Sequence, residues 1–281
     1  MSDSTKIKTL SSWSDFVDHL SKDNKSGQFI YRGQSNPSWS LASPFERWLL
    51  RSLDLMGHYP YISADPNAAA DHGREYYQER RGSALQDFID LSNGCFPIEV
   101  DKLKEFEQWV VGRHYGLITP ILDWSSSPYV AAWFAFRDIV LERWDETKPI
   151  QLGGHVSIWE LNLGEIEATE KIPDLIVHED PQIPELGRSS AQKSYYTELN
   201  NYKVFELDGY LTKNGVQDCL KQLLLPINAI SQAIKELSKM DIHCRTMFDD
   251  LAGAAEEANW RAFSGGLYKG FSFSEMEDGV Y

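Results

Sequence analysis

The segment SPYVAAWFAFRDIVLERW, residues 127–144, limits what this chain can fold into more than any other. Pro128 stands in its first turn, where a missing N–H costs nothing, and Val130, Trp133, Phe134 and Ile139 give it a broad apolar face. A helix of this kind has to be buried, so the rest of the chain must supply layers that cover it. Further helices are expected over SSWSDFVDHLSK, capped by Ser12 or Ser14, and after Pro37, with Trp48, Leu49 and Leu53 inward. Others follow over Arg74 to Leu91, over EVDKLKEFEQWVVGRHYG, and over INAISQAIKELSKM and FDDLAGAAEEANWRAF. Strands are expected at QFIYRG, HVSIWELNL, YKVFEL and LKQLLLP. Strands separated by helices of uneven length, with some strands grouped late, predict an α+β fold rather than a regular doubly wound sheet.

No repeat or long linker divides the chain, so residues 1–263 read as one domain and 264–281 as a C-terminal tail. The stretch from about Gly57 to Asn67, with its prolines, reads as irregular. MSDSTKIKTL has no apolar h-region, and no window nears eighteen uninterrupted apolar residues; this predicts neither a signal peptide nor a membrane span, and a cytoplasmic location. Cys95, Cys219 and Cys244 lack any CxxC pairing and read as structural. The seven histidines show no metal-ligand spacing, so no metal is expected. A formal charge of −15 argues against nonspecific nucleic-acid affinity of the whole molecule, which leaves a local patch, Arg74, Arg80 and Arg81, as the place where RNA or DNA could bind.

Three short polar segments stand at the ends of expected elements: YRGQ at Tyr31 to Gln34, RHYG with LDWSSS through Ser127, and RSSAQKSYYT at Arg188 to Thr197. Such positions are where a rigid scaffold can offer side chains to a ligand. Arg32 ends an apolar strand, and its planar fork of donors suits a pyrophosphate; Gly33 allows a sharp turn or a close approach to a ligand. Ser126 or Ser127 is the natural N-cap of the helix that follows, whereas capping explains Ser125 less well. Asp123 sets a carboxylate beside Trp124, and His114 and Tyr115, with Gly116 ending their helix, can pack over a planar ligand. Neither a P-loop nor GxGxxG is present.

Together these segments resemble the FRG domain, whose aromatic-Arg-Gly signature matches Tyr31, Arg32 and Gly33. The family's Trp-x-Leu, Glu-Phe and H-Y-G…L-D-W-T-x-S-P…F-A pattern is echoed by Trp39 and Leu41, Glu105-Phe106 and RHYGLITPILDWSSSPYVAAWFA. Its R-x-x-x-Q with nearby aromatics is echoed by Arg188, Gln192, Tyr195 and Tyr196, and its near-terminal F-P-D-L-D-G-L-A by FDDLAGAAE from Phe248, so the likeness covers about residues 7 to 260. Departures are Arg113 for the family's Gln, Ile118-Thr119-Pro120 for Pro-Thr-Arg, and Asp249 and Ala252 for Pro and Asp. A more distant similarity is to ADP-ribosyltransferases, whose three motifs have counterparts here in the same order, except that Lys193 and Ser194 follow Gln192 in place of x-Glu.

That resemblance implies a split antiparallel β-sheet core flanked by helices, with NAD as substrate. It implies a pyrophosphate clamp at Arg32, stacking by Tyr115 or Trp124, a brace at Ser125, and Gln192 or Glu198 on the ribose. Tyr31, Gly33, Gln34, His114, Gly116, Asp123 and Ser126 complete the implied cofactor-binding set. The implied activity is ADP-ribosyl transfer to RNA, DNA or protein, as a bacterial toxin of a phage-defence or toxin–antitoxin system with an antitoxin partner. The competing expectation is a catalytically inactive nucleotide- or partner-binding module.

Overall fold

The computed structural model describes residues 6–22, 28–55, 66–94, 99–142, 154–184, 186, 192–201, 204–248 and 250–263. The expected irregular stretch falls largely, and the expected tail and Arg188 wholly, outside these residues, as does Cys95. In chain order the elements are β1 (Lys6–Thr9), α1 (Trp13–Lys22), β2 (Phe29–Gln34), α2 (Pro44–Leu55), α3 (Pro66–Ser92), α4 (Glu105–His114), β3 (Ile121–Ser125), α5 (Pro128–Glu142), β4 (His155–Asn162) and α6 (Leu163–Glu167). There follow β5 (Leu175–Glu179), β6 (Ser194–Leu199), α7 (Leu207–Lys213), β7 (Leu220–Pro226), α8 (Ile230–Lys239), α9 (Cys244–Met247) and α10 (Leu251–Phe263).

The strands form one seven-stranded sheet in the order β1-β7-β4-β2-β3-β6-β5. The architecture is α+β as expected, and the sheet is antiparallel except at one edge, where β1 runs parallel to β7. The sheet has a seam. β2 pairs with β4 along its whole length but meets β3 at a single register position, Tyr31↔Ser125, and the ladder does not continue to Gly33 and Asp123.

Helix α5 lies across the sheet at this seam, buried as its sequence requires: Val130, Ala131, Ala132, Trp133, Ala135, Phe136 and Val140 join β4, β7, α1 and α8 in the largest core cluster. Strand β4 explains why its alternation is imperfect in the sequence. Val156 and Ile158 pack in the α5 layer, while Trp159 and Leu161 pack in the opposite layer with Ile30, Leu122, Trp124 and helices α6 and α7, so both faces are apolar. A third cluster joins α3 and α4 to Ile121 and Tyr196.

YKVFEL is not a strand where it is described. Glu206 makes only an isolated bridge to Ala42, because Leu207 already begins α7 and turns its apolar side into the core. Trp48, expected inward, is 38 % exposed, while its neighbour Leu49 is buried.

Helix α2 opens on a capping box. Ser43 N–H donates to Glu46 Oε2 at 3.1 Å, Glu46 N–H donates to Ser43 Oγ at 3.3 Å, and the Tyr77 hydroxyl from α3 donates to Glu46 Oε1 at 2.7 Å. Burial raises the Glu46 pKa to about 7 against the pull of these hydrogen bonds and of Arg81. A carboxyl whose folded pKa lies above its unfolded one contributes its full stability below the unfolded pKa and loses it as pH rises through the folded value. Wild-type protein is therefore expected to lose about 3 kcal/mol relative to Glu46→Gln between about pH 4 and pH 8, since a tenfold change in an acid's ionisation constant is worth about 1.4 kcal/mol. Chemical denaturation of both proteins across that range measures it; parallel pH profiles would refute it.

Candidate active site

Where β2 and β3 part, a cleft of about 430 Å³ opens beneath α5. Its wall holds Tyr31, Arg32 and Gly33 from β2, Arg113 and His114 from the last turn of α4, and Asp123 and Ser125 from β3. Phe134, Arg137 and Asp138 of α5, Gln192, Ser194 and Tyr196 at β6, and Phe248 after α9 close it. All three polar segments of the sequence contribute.

Arg32 bridges the seam, with Nη1 donating 2.6 Å to the Asp123 carbonyl and standing 3.8 Å from Asp123 Oδ2; Nε is buried with no hydrogen-bond partner. Burial lowers its pKa to about 10 against the charge of Asp123, which still leaves it a cation at neutral pH. Arg113 holds Asp123 in a forked pair, from Nε at 3.0 Å and Nη2 at 2.8 Å. Burial favours the neutral acid at Asp123, but the charge and hydrogen bonds of Arg113, then Arg32, prevail and hold it below the usual carboxylate range. Arg113 stands in the family's Gln position, so the cleft has a second arginine although Ile118-Thr119-Pro120 lacks one. A third, Arg137, is fixed by Glu256 of α10 at 2.7 and 2.6 Å and lies 4.7 Å over the Phe248 ring.

Gly33 needs to be glycine for a reason other than the turn or ligand approach its position suggests. A Cβ there would lie 1.8 Å from the Ala131 carbonyl oxygen and 2.8 Å from Ala135 N, so the close approach is that of α5. Gly253 plays the same part at the end of the chain's last motif, where a Cβ would lie 2.0 Å from the Phe248 carbonyl oxygen; Asp250 Oδ1 accepts from its N–H at 2.8 Å. These contacts seat Phe248 at the cleft.

Ser125 Oγ donates to the Gln192 carbonyl at 2.6 Å and accepts from Ser127 N–H at 3.0 Å, bracing β3, β6 and the start of α5. Ser127 is the cap, its Oγ accepting from Val130 N–H at 3.4 Å, and Ser126 is tied by its own N–H to the Lys193 carbonyl at 3.0 Å. Gln192 reaches into the cleft wall and donates to the Met247 carbonyl at 2.9 Å.

Several expected site residues are placed elsewhere. Strand β3 has the period of two that puts Asp123 and Ser125 on one face and Leu122 and Trp124 on the other. The Trp124 ring is therefore packed in the core of the opposite layer, with its indole N–H donating to Thr197 Oγ1 at 2.9 Å. Gln34 is buried, accepting from Trp159 Nε1 at 2.7 Å. Tyr115, half exposed, lies outside the cleft wall, and Gly116 with φ +92° ends α4. Beside the His114 imidazole, four six-membered rings line the cleft, those of Tyr31, Phe134, Tyr196 and Phe248.

Glu198 is not available to a ribose. It is 5 % exposed, paired with Arg81 Nη2 of α3, and 3.2 Å from His178 Nε2 of β5, whose ring stacks at 3.8 Å on Phe106. Burial alone would raise its pKa, but His178 and Arg81 hold it below the ordinary value. The same pairing removes Arg81 from any basic patch; Arg80 is exposed and lies 5.1 Å over Tyr76, and nothing is described of the Arg74 side chain.

The FRG domain family model matches residues 27–143, from the start of β2 to the end of α5. The chain carries an FRG domain. The matched segment holds the seam, both strands beside it, Arg32, Arg113, Asp123 and Ser125, while Gln192, Tyr196 and Phe248 reach the cleft from the segment beyond. No curated protein and no solved structure matches the chain. Among the described residues no helix is long and apolar enough to cross a membrane, and no group of His, Cys, Asp or Glu is arranged to hold a metal ion.

Proposed function

We propose that the FRG domain binds NAD in this cleft and transfers its ADP-ribosyl group to a macromolecular acceptor. The observation that carries this reading is the meeting of three distant polar segments at one seam, around a partly buried arginine whose buried Nε has no hydrogen-bond partner. Arg32 and Arg113 supply the charge and forked donors that suit a pyrophosphate. The four cleft rings offer faces to nicotinamide or adenine, and the Gln192 side-chain Oε1 offers an acceptor to a ribose hydroxyl. The reaction breaks the bond from ribose C1′ to nicotinamide, releases neutral nicotinamide, and passes through an oxocarbenium-like state that the acceptor attacks as it loses a proton. Asp123, kept ionised by Arg113, is one of the two carboxylates in the cleft wall, with Asp138, able to favour that cation. The family resemblance extends the reading to a cytoplasmic toxin of a phage-defence system restrained by an antitoxin protein.

One observation favours the second reading, an inactive nucleotide-binding module: Glu198, the glutamate nearest in sequence to Gln192, is engaged by Arg81 and His178. The two readings share the NAD-binding step. Arg32→Lys keeps the charge but loses the fork, and is expected to weaken NAD binding about tenfold or more, the loss of roughly one charge-assisted hydrogen bond. Calorimetric titration of the folded variant checks this, and wild-type affinity in Arg32→Lys would remove the clamp from both readings.

A further inference from the structure

Helix α2 packs on β3 beside the cleft, without lining its wall, and so stands as an outer rim. Its first turn is tied to the segment after α4 by the Phe45 N–H, which donates 3.1 Å to the Thr119 carbonyl. Arg47, Trp48 and Arg51 are all exposed, and their spacing puts them on one side of the helix. Arg47 is held by its Nη1 bond to the Ala42 carbonyl at 2.7 Å. It lies close enough to Arg113, Asp123 and Arg51 for each charge to be felt at it, and its own charge is felt at Arg32. Four guanidinium groups thus gather at one corner of a chain whose net charge is −15. Among the described residues the carboxylates felt there are committed, Asp123 to Arg113, Asp138 to Arg137 at 3.6 Å, and buried Glu46 to Tyr77 and Ser43. Like charges brought together in this way repel one another unless an external anion joins them.

Two large aromatic rings flank the same corner. Trp48 is 38 % exposed and packs 6.1 Å from Phe45, which stiffens it; Tyr115, next to Arg113 and His114, is 50 % exposed. Phosphate alone gains nothing from such rings, whereas unpaired bases stack on them, and bases in a duplex are already stacked on each other. We propose that the α2 rim, through Arg47, Trp48 and Arg51, binds a single-stranded nucleic acid. It rests on the transfer reading only for the further statement that this strand is the ADP-ribosyl acceptor, since its path along the rim brings a base or ribose to the cleft mouth. The patch is distinct from the Arg80 and Arg81 pair, of which Arg81 is buried.

The test is fluorescence anisotropy of the full chain with labelled RNA and DNA strands of about ten nucleotides, without NAD. Affinity is expected to fall with salt by a slope of about 0.7 per phosphate contact, and a duplex of equal length to bind more weakly. Trp48→Ala is expected to weaken binding about tenfold, the scale of one lost base stack. Arg51→Glu is expected to weaken it comparably and to reduce the salt slope by about 0.7; NAD affinity stays as in wild type for the uncharged Trp48→Ala. Should Trp48→Ala fail to fold, Arg51→Glu, at an exposed position, decides the matter alone. Unchanged affinity in Arg51→Glu, or tighter binding of a polyglutamate peptide than of either strand, overturns the inference, the second outcome assigning the rim to an acidic protein segment. A strand that binds but takes no label from NAD supports the rim and counts against the transfer reading alone.

Discussion

Replacing Gly33 by Ala is expected to destabilise the domain by about 3 kcal/mol or more, lowering Tm by roughly 10 °C, because the new methyl has nowhere to go. It would point at the Ala131 carbonyl and the Ala135 N–H of α5, which are backbone atoms and cannot rotate aside. Helix α5 would have to lift from β2. Since Phe134, Arg137 and Asp138 ride on that helix, the cleft would widen as stability fell, and NAD affinity is expected to fall with it. Thermal unfolding with and without NAD measures both effects. A Gly33→Ala protein as stable as wild type would mean that α5 does not pack on β2 in this way.

Glu198→Ala should cost about 3–5 kcal/mol of stability, the range for removing one partner of a buried ion pair. Arg81, 9 % exposed, would keep Glu105 at 3.2 Å and Asn200 but lose its buried carboxylate partner, and His178 would lose its carboxylate while still stacked on Phe106. If Glu198 holds α3, β5 and β6 together and does not serve the reaction, the folded fraction of the variant should bind NAD as wild type does. Denaturant midpoints separate the possibilities. Lost turnover with an unchanged midpoint would return Glu198 to the reacting centre.

Glu198 also shows what limits reading a site from sequence. Its nearness along the chain to Gln192 suggests a shared cleft, but its partner Arg81 lies 117 positions away, and nothing local announces the pair. Trp124 is legible as an aromatic beside a carboxylate, yet its direction depends on ILDWS being a strand, and a run of hydroxyls leading into a helix conceals that. KIKT cannot be read as β1 because its four residues are exposed and its parallel partner, β7, lies more than two hundred residues on. The α5 segment, the cap at Ser127 and the strands β2, β4 and β7 are legible because their signals are local: apolar periodicity, a hydroxyl before a proline, β-branched and leucine runs between turns. The arginines Arg113 and Arg137 become site residues only when the fold brings their helices to the seam.

Transfer is tested most directly by incubating the intact chain with adenylate-labelled NAD and separated whole-cell RNA, DNA and protein fractions, alongside Arg32→Lys. Label is expected in one fraction, with nicotinamide released in equal amount, and both are expected to be reduced in the variant. NAD that binds to the wild-type cleft but is recovered intact from every fraction would contradict transfer and leave the FRG domain a nucleotide-binding module.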